Sequence, residues 1–239
     1  MIVEPVQTVG NIKPRIFKVI GMKNIKRVLP LVTLVVFCGA PMAQELDNPH
    51  SASLAAVRSG NLQKLKDLVE KHDANINSRN RPGESLLMMS IKSGNRDIAN
   101  YLLEKGANVN TPNTSKVTPL MAAAYSGDLD MVDKLLAKNA DIHAVDQLNK
   151  TAMVYAAGNG HTAVVAKLLD KGVDVNARYK NELTALMWAA GSGHASAAAL
   201  LLERGADPAL IDDRGKTALQ MAQEGGHLEV RKMLEQRPR

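Results

Sequence analysis

The chain has 239 residues, 45% of them hydrophobic and 3% aromatic, which supports a large core of small and aliphatic side chains rather than one aromatic centre. Its net charge of +6 is concentrated at the front: residues 1–43 hold six bases (Lys13, Arg15, Lys18, Lys23, Lys26, Arg27) against Glu4, which leaves 24 bases and 23 acids for residues 44–239. A body this close to neutral excludes a general nucleic-acid surface, and the single cysteine, Cys38, excludes a disulfide scaffold or a cysteine-held zinc site beyond the front segment.

Residues 1–43 read as a leader. From Met22 to Ala43 the sequence is MKNIKRVLPLVTLVVFCGAPMA: a basic start at Lys23, Lys26 and Arg27, an apolar run from Val28 to Cys38, then small residues. That order is the pattern of a secretory signal peptide, and the run is too short to span a bilayer. Residues 1–21 lengthen the front unusually, so Met22 is the expected start. Cleavage is expected after Ala43, despite Pro41 at the third position before the cut. Lipidation at Cys38 is disfavoured by the bulk of Phe37 before it. The chain is therefore expected to be exported, to the periplasm or beyond, with no membrane span after cleavage. Residues 44–51 read as a linker.

Residues 52–237 repeat. Gly94, Gly127, Gly160, Gly193 and Gly226 stand 33 residues apart, with Gly60 a further 34 before the first. Thr118, Thr151, Thr184 and Thr217 keep the same period, with Ser85 one period earlier. The expected units are 52–79, 80–112, 113–145, 146–178, 179–211 and 212–237. These periodic residues stand ahead of each unit's first helix from the second unit on, where a hydroxyl can cap it, as Thr118 does ahead of Pro119. Paired alanines at 123/124, 156/157 and 189/190 allow close helix contact. The periodic glycine predicts a left-handed C-cap, and Gly106, Gly172 and Gly205 predict another after the second helix, with Asn139 in that role once. An inserted residue within His72–Asn75, and Ser85-Leu86 in place of Thr-Pro, predict irregular first units. The end units carry the charged faces that terminal caps need: Gln63, Lys64, Lys66, Asp67 and Glu70 in the first, Glu229, Arg231, Lys232 and Glu235 in the last.

These motifs resemble the ankyrin repeat. TPLMAAAYSG (Thr118 to Gly127), TAMVYAAGNGH (Thr151 to His161) and TALMWAAGSGH (Thr184 to His194) are similar to that family's first-helix signature. YLLEKGANVN, VVAKLLDKGVDVNA and LLLERGADP are similar to its second. The resemblance implies an all-α solenoid of about six helix-turn-helix repeats joined by β-turn fingers, of the type exported to the bacterial periplasm. It also implies a protein partner engaged by finger tips and the concave first-helix face, with no catalysis and no cofactor. By position, the tips include Arg81, Lys116, Lys150, Lys180 and Lys216, with Leu148 and Leu183. The groove adds Met89, Tyr125, Tyr155 and Trp188. A partner with an apolar ridge flanked by acidic residues fits that set. The expected protein is a monomeric adaptor or scaffold; the alternative is a secreted effector or inhibitor acting on a foreign or host protein.

Other constellations read as structure. Gly158-Asn-Gly160-His-Thr-Ala163 matches a dinucleotide fingerprint, but that motif needs a preceding strand, and a helical pattern precedes it here. His161, His194 and His227 recur one per repeat, too far apart to share a metal, and each is expected to support the turn between its own two helices. Met88, Met89, Met121, Met153, Met187 and Met221 offer thioethers that suit Cu(I), but adaptable core packing explains them better. Lys71, Lys105, Lys138, Lys171 and Arg204 stand where a cation complements a helix C-terminus.

Overall fold

The computed structural model describes residues 48–236. The leader, its cleavage site and residues 44–47 of the linker lie outside the described residues. Twelve α-helices follow in pairs: α1 Pro49–Arg58 and α2 Leu62–Lys71, α3 Leu86–Lys92 and α4 Arg96–Glu104, α5 Pro119–Ser126 and α6 Leu129–Ala137. The second half continues with α7 Ala152–Gly158 and α8 Thr162–Asp170, α9 Ala185–Gly191 and α10 Ala195–Glu203, α11 Ala218–Glu224 and α12 Leu228–Glu235. No strand is found among the described residues; a single antiparallel bridge joins Arg79 and Ser85.

The first helix of each pair stacks on the first helices of its neighbours, and these contacts are more extensive than those between second helices. Ala123, Ala124, Ala156, Ala157, Ala189 and Ala190, all buried, let the inner row close up. The closer row lies inside the curve of the array, so the first helices and fingers form its concave side. Between the rows runs a continuous core. Leu102, Leu135, Leu168 and Leu201, one per repeat, are each fully buried, a contribution of about 1.5–3 kcal/mol per side chain.

Helix ends follow the local chemistry. Ser85 Oγ accepts from Met88 N, and Thr118 and Thr184 Oγ1 from Met121 N and Met187 N. The sulfurs of Met121 and Met187 accept in return from Thr118 N and Thr184 N, both at 3.4 Å. Those thioethers therefore help to close helix caps as well as fill the core. Thr151 makes no such cap. The periodic glycines are left-handed throughout, from Gly60 at φ +69 to Gly193 at φ +78. Asn139 (φ 60) and, in the first unit, Asp73 (φ 47) take the same conformation after the second helix. The expected irregularity at the front is correspondingly small: α2 gains one residue over α4, and Asp73 makes the turn.

The fingers are built on Asx turns. Asn113, Asp146 and Asp212 each accept two backbone N–H groups of their own finger through one side-chain oxygen, and Asn80 accepts one. Tyr179 occupies that place in the fifth unit and cannot repeat the bond. The finger closes instead by a short 3-10 turn, Lys180–Glu182, with Asn181 and Glu182 both left-handed. On the outer row, Lys105 and Arg204 do more than face a helix end. They reach back to Glu70 (3.0 Å) and Asp170 (2.7 Å) of the preceding repeat.

Candidate functional site

Counting back from each left-handed glycine gives the register of the concave face. Two residues before it stand Arg58, Lys92, Tyr125, Gly158, Gly191 and Glu224; five before it stand Ala55, Met89, Ala122, Tyr155, Trp188 and Met221. The first column runs from basic (Arg58, Lys92) through aromatic (Tyr125) to no side chain at Gly158 and Gly191, and ends on the acidic Glu224. Gly158 and Gly191 end α7 and α9, and a methyl on either would stand 3.6 Å from Trp188 Cε3 or Met221 Cβ. A methyl there would be in ordinary contact with that neighbour, so the glycines bring the larger side chains of the next repeat close to the helix without being demanded by space. Beside Gly191 lies an open hollow of about 450 Å³, lined by Leu183, Met187, Trp188 and Met221 and closed by Arg214 and Glu224.

Next to this hollow four predicted residues come together. The Lys150 ammonium lies 4.5 Å from the Trp188 ring centroid and 5.9 Å from that of Tyr155. The Tyr125 and Tyr155 rings meet edge to face at 6.0 Å. Cation–π contacts of this kind contribute about 0.5–1 kcal/mol each at exposed sites. Asp146, buried at 4% exposure, organises the group. One of its oxygens accepts from Leu148 N and Lys150 N; the other accepts the Tyr155 hydroxyl at 2.6 Å. Burial, reinforced by that hydrogen bond, pushes the Tyr155 phenol well above the ordinary tyrosine range. Asp146 is thereby used up inside the finger. Lys150 has no carboxylate within ion-pair distance among the described residues.

The other predicted residues are scattered. Leu183 lines the hollow next to Trp188, and Leu148 is 51% exposed on the tip beside Lys150. Lys116 and Lys180 are exposed and unpaired among the described residues. Lys216 bonds both oxygens of Glu224, at 2.6 and 2.7 Å, so its charge is neutralised on the spot. Met89 is only 8% exposed, an edge at the floor of a separate hollow. It lies with Arg81 at the other end of the array, away from the aromatic cluster. Asp146 and Gly191 were not singled out from the sequence, Met221 was read only as one of the core-packing methionines, and Gly158 only as part of the fingerprint-like stretch. Asp146 shares its position with Asn80, Asn113 and Asp212, which was the available signal.

The periodic histidines act differently from expectation. None caps or supports its own turn through a side-chain bond. His161 Nε2 reaches Tyr125 O (2.8 Å), His194 Nε2 reaches Gly158 O (3.0 Å) and His227 Nε2 reaches Gly191 O (3.1 Å). Each satisfies a carbonyl at the C-terminus of the preceding first helix, a group with no intrahelical partner. The array places them as links between repeats because the second helix of one unit starts beside the end of the previous first helix. Gly158, the first glycine of the fingerprint-like stretch, ends a helix and presents its carbonyl to His194, an arrangement unlike a phosphate loop. Among the described residues, no group of three His, Cys, Asp or Glu side chains is placed to hold a metal, and no helix is long and apolar enough to cross a membrane.

A family model described as ankyrin repeats, three copies, matches residues 25–113, 53–146, 120–212 and 153–237 in overlapping registers. No curated protein matches the chain.

Proposed function

The chain belongs to the ankyrin-repeat family, and from that premise we propose that it is an exported, non-catalytic scaffold that holds another protein of the cell envelope against its concave face. Ankyrin repeats are in general protein–protein interaction scaffolds. The observation that carries the reading is the Lys150 ammonium, held over Trp188 and Tyr155 without a carboxylate, beside an apolar hollow. A partner that lays an apolar ridge along Tyr125, Tyr155, Trp188 and Leu183, and sets an acidic residue over Lys150, answers both features. Aromatic residues of this kind dominate binding energies at interfaces. Export rests on the order of charge, apolar run and small residues between Met22 and Ala43.

The test is retention of envelope proteins by the chain, compared with Tyr155→Ala/Trp188→Ala and with Lys105→Ala on the outer row. A specific partner held by wild type and by Lys105→Ala, but at least about tenfold more weakly by the double variant, is expected. Equal retention by all three sinks the groove. Fractionation with N-terminal sequencing checks export: a processed chain beginning at Gln44 in the periplasm is expected, and an unprocessed cytosolic chain ends that part of the proposal.

A further inference from the structure

The opposite end of the concave face carries a separate feature. Two hollows adjoin there, of about 800 and 350 Å³, and Arg58 and Asn80 line both. Their floor is apolar: Leu54 in the larger, Val57 and Met89 in the smaller. Arg58, Arg79 and Arg81 stand around the larger one. Arg79 is fixed by two neutral carbonyls, donating from Nε to Gly83 O and from Nη2 to Pro112 O. The guanidinium groups of Arg58 and Arg81 have no hydrogen-bond or ion-pair partner among the described residues.

The one carboxylate lining either hollow among the described residues is Glu84. Both its oxygens are taken, one by Lys92 Nζ and the other by Asn80 Nδ2. Burial alone raises the Glu84 carboxyl, but the hydrogen bonds from Lys92 and Asn80 and the charges of Lys92 and Arg58 outweigh it. They hold the group below the ordinary glutamate range. Glu84 and Lys92 cancel, and the three guanidinium charges are left uncompensated around an apolar floor. Like charges gathered this way repel unless an anion answers them.

We propose that this arginine-rimmed hollow is a second binding site, specific for an acidic segment of a partner protein in which an aliphatic residue is flanked by carboxylates. The aliphatic side chain covers the exposed edges of Leu54 and Met89, with Val57 buried beneath them. The carboxylates take the planar, two-pronged hydrogen bonds that guanidinium offers better than ammonium. A bare phosphate leaves the apolar floor uncovered. A nucleic acid needs a longer basic track than three arginines at one end of a near-neutral array. The site is independent of the Lys150–Trp188 groove and stands or falls without it.

The experiment is fluorescence anisotropy on the chain purified from the full-length gene. The probe is a labelled peptide of alternating glutamate and leucine; its glutamine-for-glutamate twin is the control. Binding of the acidic peptide is expected, weakening as salt is raised, with none by the twin. Arg58→Glu/Arg81→Glu should weaken it about tenfold or more, because a like charge then faces each carboxylate. Arg81→Glu alone, away from any helix end, should also weaken it if the Arg58 change disturbs α1. Trp188→Ala should leave it unchanged, which separates this site from the groove. Four results each overturn the proposal: no peptide binding near 1 mM, equal binding of the twin, arginine variants that bind like wild type, and full displacement by inorganic phosphate at about 10 mM.

Discussion

The first three repeats and the last three use one position for opposite ends. The residue after the left-handed glycine is Asn61, Asn95 or Asp128 in the first half, and its side chain caps its own second helix, accepting from Lys64 N, Ile98 N or Met131 N. In the second half it is His161, His194 or His227, which leaves its own helix without a side-chain cap and bonds to the repeat before. A local cap stabilises one repeat by itself. A link to the neighbour moves similar stabilisation into the interface, which is the quantity that makes a solenoid unfold as one body. The links run without a gap from the third repeat to the sixth. On the other side of the array, Asn77, Asn110 and Asn176 accept a backbone N–H from the next unit, whereas His143 stands in the equivalent place after the third repeat and makes no such bond. His161 covers the junction that His143 leaves weaker.

Glycine substitutions break this comparison most strongly. Gly94→Ala meets open space and suffers only the left-handed backbone, about 1–2 kcal/mol. Gly160→Ala suffers the same strain and sets its methyl 2.6 Å from His194 Nδ1. A loss of about 3 kcal/mol or more is expected there. Urea unfolding of both single variants checks the difference. A cycle with His194→Ala sharpens it, because removing the ring should return part of the Gly160→Ala loss. Equal costs at Gly94 and Gly160 would mean that the imidazole is not seated on the glycine.

Changes at the position itself come next. Asn95→Ala and His194→Ala should each cost about 1 kcal/mol, but in different ways. The first should speed amide exchange within α4 alone. The second should loosen the junction between the fourth and fifth repeats and broaden or split the unfolding transition. His194→Asn separates the two roles: it supplies the local cap that α10 lacks while removing the link. Recovery of stability without recovery of a single sharp transition is the expected outcome.

The period, the paired alanines and both sets of left-handed caps were legible because each follows from a steric demand that every repeat makes again. The helix pairs follow from that register. The direction of the histidines was not, because which repeat a side chain faces depends on the rotation between units, and nothing local encodes it. Lys216 looked like an exposed tip cation, but Glu224, eight residues on, ends α11 beside the finger and takes its charge. The fifth finger was read as one more β-turn; Tyr179 lacks the side-chain oxygen that makes the Asx turn, and the backbone bends differently. At the candidate site, Tyr125, Tyr155 and Trp188 were visible as an aromatic run. Asp146, which positions Tyr155 and the Lys150 backbone, was hidden as one more turn residue.

The smallest expected effect is a difference in pH response between the two halves. In the second repeat the Glu84 carboxyl is held below its ordinary value. Its contribution is therefore complete above the usual glutamate range and is lost as pH falls through that lowered value. In the fourth repeat the Tyr155 phenol is held above its ordinary value. Its contribution is complete below about pH 10 and is lost as pH rises beyond it. Acid should thus loosen the front of the array and alkali its middle, each by about 0.5 kcal/mol once water and salt screen the partly exposed groups. Amide exchange at both extremes reads the two regions separately. Glu84→Gln should flatten the acid response of α3 and leave the alkaline response of α7; Tyr155→Phe should do the reverse. If either variant flattens both, the two regions respond as one body, and the difference between local caps in the first half and links to the neighbour in the second does not separate them.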